Sequence, residues 1–196
     1  MTRGQATALP AAPVRDRQSQ EERAAEASPA CQPQSRAHLA FVALGANLAD
    51  PLAQVRAAGA ALASTPASRL RRVSSLYRTA PVGIRGQGDF INAVAVLETA
   101  LAPQQLLDAL FAIERRFGRR REYHHAPRTL DLDLLLYDDL IVDSPRLSVP
   151  HPRMHLRAFV LAPLLEIAPV VRIPGRGQAA AWLPAVSLQR IEKLRE

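Results

Sequence analysis

Two aspartates in this chain stand at a spacing that could hold a metal ion. In residues 130–137 (LDLDLLLY), Leu130, Leu132, Leu134 and Leu136 recur at every second position, with Asp131 and Asp133 between the first three. Side chains of an extended strand repeat every two residues, so the leucines take one face and both carboxylates the other. The two Cβ atoms then lie roughly 7 Å apart and point the same way. At an effective dielectric of about 20, carboxylates about 6 Å apart repel by roughly 2–3 kcal/mol. Aspartate is also a poor strand former. A divalent cation bound by carboxylate oxygens would relieve the repulsion. For a bare D-x-D the plainer reading is a half-buried strand whose polar face meets water.

The residues just upstream change that balance. Residues 115–128 contain Arg115, Arg116, Arg119, Arg120, Arg121 and Arg128, with Glu122 as their only acid. Guanidinium groups grip phosphate oxygens in bidentate fashion. A carboxylate pair for metal beside an arginine-rich loop for phosphate is the equipment of phosphoryl transfer.

The elements that must position these groups can be read in order. Residues 38–44 (HLAFVAL) are a short apolar run ending at Gly45-Ala46-Asn47, which predicts a buried strand and a turn. Asp50 then caps a helix with Pro51 at its first position, with Leu52, Val55, Gly59 and Leu62 on one face. The glycine is expected to allow close packing, and Ser64-Thr65-Pro66 to end the helix. A second strand is expected over 70–77, a long loop over 79–89 (TAPVGIRGQGD), and a third strand over 90–97 (FINAVAVL). Pro103 opens a second helix with Leu106, Leu110, Ile113 and Phe117 on its buried stripe and Gly118 at its end. The arginine-rich loop and the aspartate strand follow.

That order, βαββαβ, gives an α+β fold of ferredoxin-like type, a mostly antiparallel sheet with helices on one face. Beyond it, Asp138-Asp139 reads as a tight turn into 140–142. A helix is expected over 156–167, a strand over 170–173, and a short amphipathic helix capped by Ser187 in the final SLQRIEKLRE.

Composition narrows the partners. At 196 residues, 48% hydrophobic, the chain has room for one domain with a real core. It has no apolar run near the ~18 residues that spanning a membrane requires. The lone cysteine, Cys31, excludes an internal disulfide and fits a reducing compartment. The net charge is +7, and Lys193 is the only lysine among 25 basic residues, so the excess is arginine and concentrated near the aspartates. A phosphate-bearing partner follows. Residues 1–36 contain no Ile, Phe, Tyr or Trp and are expected to form a disordered extension, leaving 37–196 as the folded domain. They lack the apolar segment of a secretory signal, and Asp16, Glu21, Glu22 and Glu26 argue against a transit peptide, so a cytoplasmic location is expected.

The run H-x-A-P-R-x-x-D-L-D-L-L, from His124 to Leu135, resembles the signature of the 6-hydroxymethyl-7,8-dihydropterin pyrophosphokinase family of folate biosynthesis. Other stretches agree with it. VALGANL at 42–48 is similar to the family's opening strand and turn, SSLYRTAPVG at 74–83 to the segment lining its pterin pocket, DFINAV at 89–94 to its aromatic-x-Asn element, and VPHPRMHLRAFVLAPLLEIAP at 149–169 to the other half of its site. The resemblance implies a monomeric enzyme that uses ATP and two Mg2+ ions. It would transfer the β,γ-pyrophosphoryl group to the pterin's hydroxymethyl oxygen and release AMP.

The resemblance also implies roles. Asp131 and Asp133 would bind the metal ions, with Arg119 and Arg128 beside them as catalytic groups. Glu114, Arg119, Arg121, Arg128, Arg146, Ser148, His151 and Arg157 would contact ATP. Thr79, Val82, Phe90, Asn92 and Phe159 would contact the pterin, the two aromatics flanking it and Asn92 bonding its amide edge. Two departures stand out. The loop before Ala126 is one residue shorter than in familiar members and lacks their Trp, leaving Tyr123, His124 or His125 to cover the pterin. Pro152 stands where a nucleotide-contacting Tyr is usual.

Three rivals share some of these features. RNA-recognition domains have the same element order, but their K/R-G-F-G-F-V-x-F pattern is missing and aromatics are only 5%. No nucleic-acid partner is therefore expected. A P-loop kinase would need G-x-x-x-x-G-K, which is absent. His151 and His155 could pair as metal ligands of a hydrolase, though without the glutamate of H-E-x-x-H.

Overall fold

The computed structural model describes Met1 and residues 37–80, 88–118 and 129–195. Apart from Met1, the expectation for residues 1–36 lies outside them. In chain order come β1 (His38–Ala46), α1 (Pro51–Ala63), β2 (Ser68–Val73), β3 (Tyr77–Thr79), β4 (Phe90–Thr99), α2 (Pro103–Arg116) and β5 (Asp131–Tyr137). Two short strands, β6 (Val142–Asp143) and β7 (Ser148–Val149), precede a 3-10 turn (Met154–Leu156) and α3 (Ala158–Ile167). The chain ends with the hairpin β8 (Arg172–Ile173) and β9 (Gly177–Gln178), a 3-10 segment (Ala179–Val186) and β10 (Ile191–Lys193).

Among the described residues the main sheet runs β10-β3-β4-β1-β5, with β2 also paired to β4, and every pairing is antiparallel. This is the ferredoxin-like order. β4 is buried on both faces. Ile91, Ala93, Ala95 and Leu97 join one core beneath α1 and α2, while Val94 and Val96 join a second core beneath α3. The two helices of the βαββαβ unit, α1 and α2, thus lie on one face, as expected. Ten mostly apolar residues, AFVLAPLLEI, make α3 a cover for the opposite face, where Val160, Leu161 and Leu164 are essentially inaccessible.

Local chemistry explains most boundaries. Asp50 Oδ1 accepts from Ala53 N at 3.1 Å and caps α1, a contact worth about 1 kcal/mol. At the start of α2, the Gln105 side chain reaches back to Ala102 N at 2.9 Å. At its end Gly118 takes φ +75°, the left-handed conformation that terminates a helix. Gly59 is buried, yet a Cβ there would meet nothing within 4 Å, so close packing is not its reason.

The strand expected over 70–77 is two strands. Ser74 takes the place of a ladder residue, its N donating to Val94 O at 2.9 Å and its Oγ accepting from Val94 N at 3.0 Å, so pairing with β4 breaks there and resumes at Tyr77. The helix expected from residue 156 begins at Ala158, because Arg157 is extended (φ −127°, ψ 112°). The strand expected over 170–173 is only β8. The final amphipathic helix does not form. Its apolar spacing serves β10 instead, with Ile191 opposite Thr79 and Leu194 N donating to Leu76 O at 2.8 Å, while Ser187 ends the preceding 3-10 segment.

One correction falls on the aspartate strand. Leu130, Leu132 and Leu134 do share the α1/α2 core, but Leu136 does not. The register with β1 slips between Phe41 and Val42, leaving Leu135 as the extra residue of a bulge. Past it Leu136 turns to the α3 core and Tyr137 to the α1/α2 core. Asp131 and Asp133 lie before the bulge and keep the alternation predicted for them.

Candidate active site

Strand register assembles the site across one face of the sheet. Asp131 pairs with Gly45, Gly45 with Asn92, and Asn92 with Tyr77, so these four form one cross-strand row. The next row holds Asp133, Ala43 and Val94. Directly opposed residues of antiparallel strands point to the same side. The carboxylates and Asn92 therefore look onto a common trough whose middle strand offers only Gly45 and Ala43. Two strand spacings, about 10 Å, separate Asn92 from Asp131.

At one end of the trough Asn92, 5% exposed, donates from Nδ2 to Thr79 Oγ1 at 2.9 Å. That bond fixes the carboxamide, and its Oδ1 lies over Gly45, where an added Cβ would stand 3.3 Å away. Phe90 pairs with Thr79 and lies two residues before Asn92, on the same face and half-buried. Beside this end, on the same face, Tyr77 donates to Glu166 Oε2 at 2.8 Å, and Ser75 Oγ and Lys193 Nζ reach Glu166 Oε1 at 2.8 and 3.1 Å. Burial, reinforced by the Glu166 bond, pushes the Tyr77 hydroxyl up to about 12.

At the other end His151 and Arg157 converge on Asp133. His151 N donates to Leu135 O at 2.8 Å, which fastens the histidine beside β5. Its Nδ1 accepts from Arg153 N at 3.2 Å, so the ring proton sits on Nε2, 3.8 Å from Asp133 Oδ2. Burial, with Arg157 and Arg153 nearby, lowers the imidazole to about 4. At neutral pH His151 is an uncharged donor, so its approach to Asp133 is not an ion pair. Arg157 Nη1 stands 4.0 Å from the same oxygen, and its guanidinium lies 5.4 Å above the Phe159 ring.

The other residues singled out from the sequence distribute less tidily. Glu114 is 2% exposed, and its Oε1 accepts from Leu132 N at 2.8 Å, between the two aspartates. Arg146 Nη2 meets Asp108 Oδ1 at 2.9 Å at the surface, and Ser148 Oγ donates to Asp143 at 2.9 Å. Val82, Arg119, Arg121 and Arg128 lie outside the described residues, as do Tyr123, His124 and His125. Gly45, Tyr77 and Glu166 belong to the site's geometry but escaped sequence reasoning. Gly45 could have been found as the small residue closing an apolar strand; the Tyr77–Glu166 contact spans 89 residues of sequence and left no local signal.

Among the described residues no group of three or more His, Cys, Asp or Glu could enclose a metal ion. Two carboxylates on one accessible face fit Mg2+ nonetheless. That ion keeps several waters and is commonly held by one or two carboxylates together with substrate phosphates. The histidine-ligated alternative does not fit. His155 is buried, its Nε2 lies 3.3 Å from Arg176 Nη1 and its ring abuts Trp182, whereas His151 faces Asp133.

Comparison with known proteins gives the family. A family model described as 7,8-dihydro-6-hydroxymethylpterin-pyrophosphokinase matches residues 41–169, which span every described site element except β10 and the start of β1. A Pseudomonas aeruginosa protein named 2-amino-4-hydroxy-6-hydroxymethyldihydropteridine pyrophosphokinase is 49% identical over 154 residues, covering 79% of this chain and 95% of the relative. A Haemophilus influenzae protein of the same name is 45% identical over 135 residues, covering 69% and 84%. Among solved structures, the wild-type HPPK-DHPS of Plasmodium falciparum superposes with a TM-score of 0.61 at 14% identity, a likeness of fold. It covers 80% of this chain, which spans 42% of that longer one. From the matched residues and the close relatives together, the chain belongs to the 7,8-dihydro-6-hydroxymethylpterin-pyrophosphokinase family.

Proposed function

We propose that this chain transfers the β,γ-pyrophosphoryl group of ATP to the hydroxymethyl oxygen of 6-hydroxymethyl-7,8-dihydropterin and releases AMP, with two Mg2+ ions on Asp131 and Asp133. The coarser statement, pyrophosphokinase activity on hydroxymethyldihydropterin within folate biosynthesis, follows from the family. The observation that carries the finer reading is the shared trough, with a fixed carboxamide at one end and paired carboxylates at the other.

The pterin would lie on Gly45 and Ala43, its amide edge on Asn92, with Thr79 holding the carboxamide and Phe90, Phe159 and Val82 as apolar contacts. Its hydroxymethyl oxygen would attack the β-phosphorus. The bond from that phosphorus to the oxygen bridging the α-phosphate breaks, AMP leaves with that oxygen, and the hydroxyl proton passes to solvent. Bound Mg2+ would supply charge on the phosphate oxygens and a template for in-line displacement.

The protein's own groups would orient the triphosphate. His151 offers its Nε2–H and Arg157 its guanidinium beside Asp133. Arg119, Arg121 and Arg128 would offset charge redistributing over the equatorial oxygens. Arg146 and Ser148 reach the nucleotide by exchanging Asp108 and Asp143, and the Arg146 pair is exposed and so held weakly. Glu114 supports the site from beneath through Leu132.

Action as a monomer, which the resemblance implies, belongs to the same proposal. No described helix is long and apolar enough to cross a membrane, which is compatible with a cytoplasmic enzyme. An RNA-binding reading is disfavoured because α3 covers Val94 and Val96 on the sheet face such domains expose. Incubation with ATP, Mg2+ and the pterin tests the proposal. One AMP should appear per pterin consumed, and chelation should stop the reaction. ADP released without pterin would refute it.

A further inference from the structure

Helix α3 begins without a cap of its own. Its N-cap position is Arg157, whose side chain makes no capping bond. Ser, Thr, Asp or Asn commonly stands there to satisfy a free N–H of the first turn. The residue before it, Leu156, ends the 3-10 turn, so a carbonyl on the other side of Arg157 also needs a partner. Both needs are met by one side chain far along the sequence. Gln189 Oε1 accepts from Ala158 N at 2.9 Å, and Gln189 Nε2 donates to Leu156 O at 2.8 Å.

This carboxamide takes the carbonyl before Arg157 and the N–H after it, the pattern by which one residue of a parallel strand grips its neighbour. The consequence is a fixed backbone at Arg157, extended at φ −127° and ψ 112°. From that backbone the guanidinium reaches Asp133 and lies over Phe159. A capping residue at position 157 would have removed the arginine; capping from position 189 keeps it there. Gln189 is itself anchored. Its N donates to Val186 O at 3.0 Å, and two residues later Ile191 pairs with Thr79, the hydroxyl that holds Asn92. The same short segment therefore touches the supports of both ends of the trough.

We propose that Gln189 is a positioning residue for Arg157, holding the backbone on both sides of it so that the guanidinium is set beside Asp133 before nucleotide binds. The inference rests on the reading of Arg157 as a phosphate-side group. If Gln189 merely fastened the C-terminal segment, its loss would lower thermal stability and leave Arg157 in place.

The full-length chain is assayed with ATP, Mg2+ and the pterin as wild type, Gln189→Ala, Gln189→Glu, Arg157→Ala and the Gln189→Ala/Arg157→Ala double variant. Gln189→Ala should lower kcat about tenfold, the scale of a misplaced catalytic contact, while KM for the pterin changes by less than about twofold. Gln189→Glu keeps an acceptor for Ala158 N but sets a carboxylate against Leu156 O, and should lose at least as much. In the Arg157→Ala background, Gln189→Ala should cost nothing further. Unchanged kcat, or losses that add in the double variant, would overturn the proposal. A second readout needs no turnover: the 15N-labelled Nε–H signal of Arg157, assigned by its loss in Arg157→Ala, should move in Gln189→Ala. An unmoved signal overturns the positioning proposal whatever the activity. A wild type without pterin-dependent AMP release overturns the phosphate-side reading, and the Nε signal still decides the positioning.

Discussion

At the scale of single residues, the site depends on what is missing from one position. Gly45 carries no Cβ, and an added one would stand 3.3 Å from Asn92 Oδ1, tight enough to push the carboxamide by a few tenths of an ångström. The backbone there is an ordinary strand, so alanine is sterically acceptable everywhere except toward Asn92. Gly45→Ala should therefore raise KM for the pterin several-fold while nucleotide affinity stays near wild type. Its stability cost should stay within about 1–3 kcal/mol, the usual range for overpacking. Separate titrations of pterin and a non-hydrolysable nucleotide check this, and equal losses for both would show that the trough does not separate the ligands. His151 is the second informative residue. Its hydrogen bond from Arg153 and its lowered pKa make it a neutral donor toward Asp133 rather than a competing cation.

Two carboxylates tie the elements together. Glu114 reaches from α2 to Leu132 N, on a strand with no further strand beside it among the described residues. Glu114→Ala leaves that buried N–H unpaired and should destabilise the protein by about 1–3 kcal/mol. Urea unfolding measures it, and a change within error would mean that water replaces the carboxylate. Glu166 joins α3 to β3 and β10. Burial alone would raise its carboxyl, but hydrogen bonds from Ser75, Tyr77 and Lys193 outweigh that and hold it below its ordinary value of 4.5. The stability this provides is fully present above pH 4.5 and is lost as pH falls from there through the lowered folded value, because over that range the unfolded chain takes up the proton and the native carboxylate does not. Melting temperature followed from neutral pH into that acid range should fall more steeply for wild type than for Glu166→Gln. Parallel curves would remove Glu166 from the account.

Local signals carried the elements that sequence reading recovered. Pro51 and Pro103 open helices, Gly118 closes one, and the alternation around Asp131 and Asp133 places both carboxylates on one face. What stayed hidden depends on distant partners. The apolar spacing of the last residues suits a helix as well as a strand, and Thr79 decides for a strand by lending β10 an edge. Leu136 lies on the face opposite to the one its spacing predicts, because a bulge at Leu135 is invisible in a run of leucines. Arg146 and Ser148 are expected at the nucleotide from the resemblance, but their partners here, Asp108 and Asp143, are surface neighbours that no spacing announces.

For the molecule as a whole, the sheet carries a core on each face, and among the described residues Ala43, Gly45, Asp131 and Asp133 at one end of the α3 face stay partly exposed. The proposed chemistry would sit there, since α3 covers Val94 and Val96 while the small residues lie beyond them. The net charge of +7 is almost entirely arginine, and the only lysine is paired with Glu166. In the proposed reaction anion recognition would thus fall to guanidinium groups, leaving the aspartates as the local negative charge that a metal–nucleotide complex would meet. Metal stoichiometry tests that claim most directly. Mn2+ titrated into the protein with a non-hydrolysable ATP analogue, followed by electron paramagnetic resonance, should show two ions bound per wild-type chain. Asp131→Ala and Asp133→Ala should each lose at least one while remaining folded by circular dichroism. Two ions bound with unchanged affinity in either variant would contradict the assignment of the aspartates as the metal site.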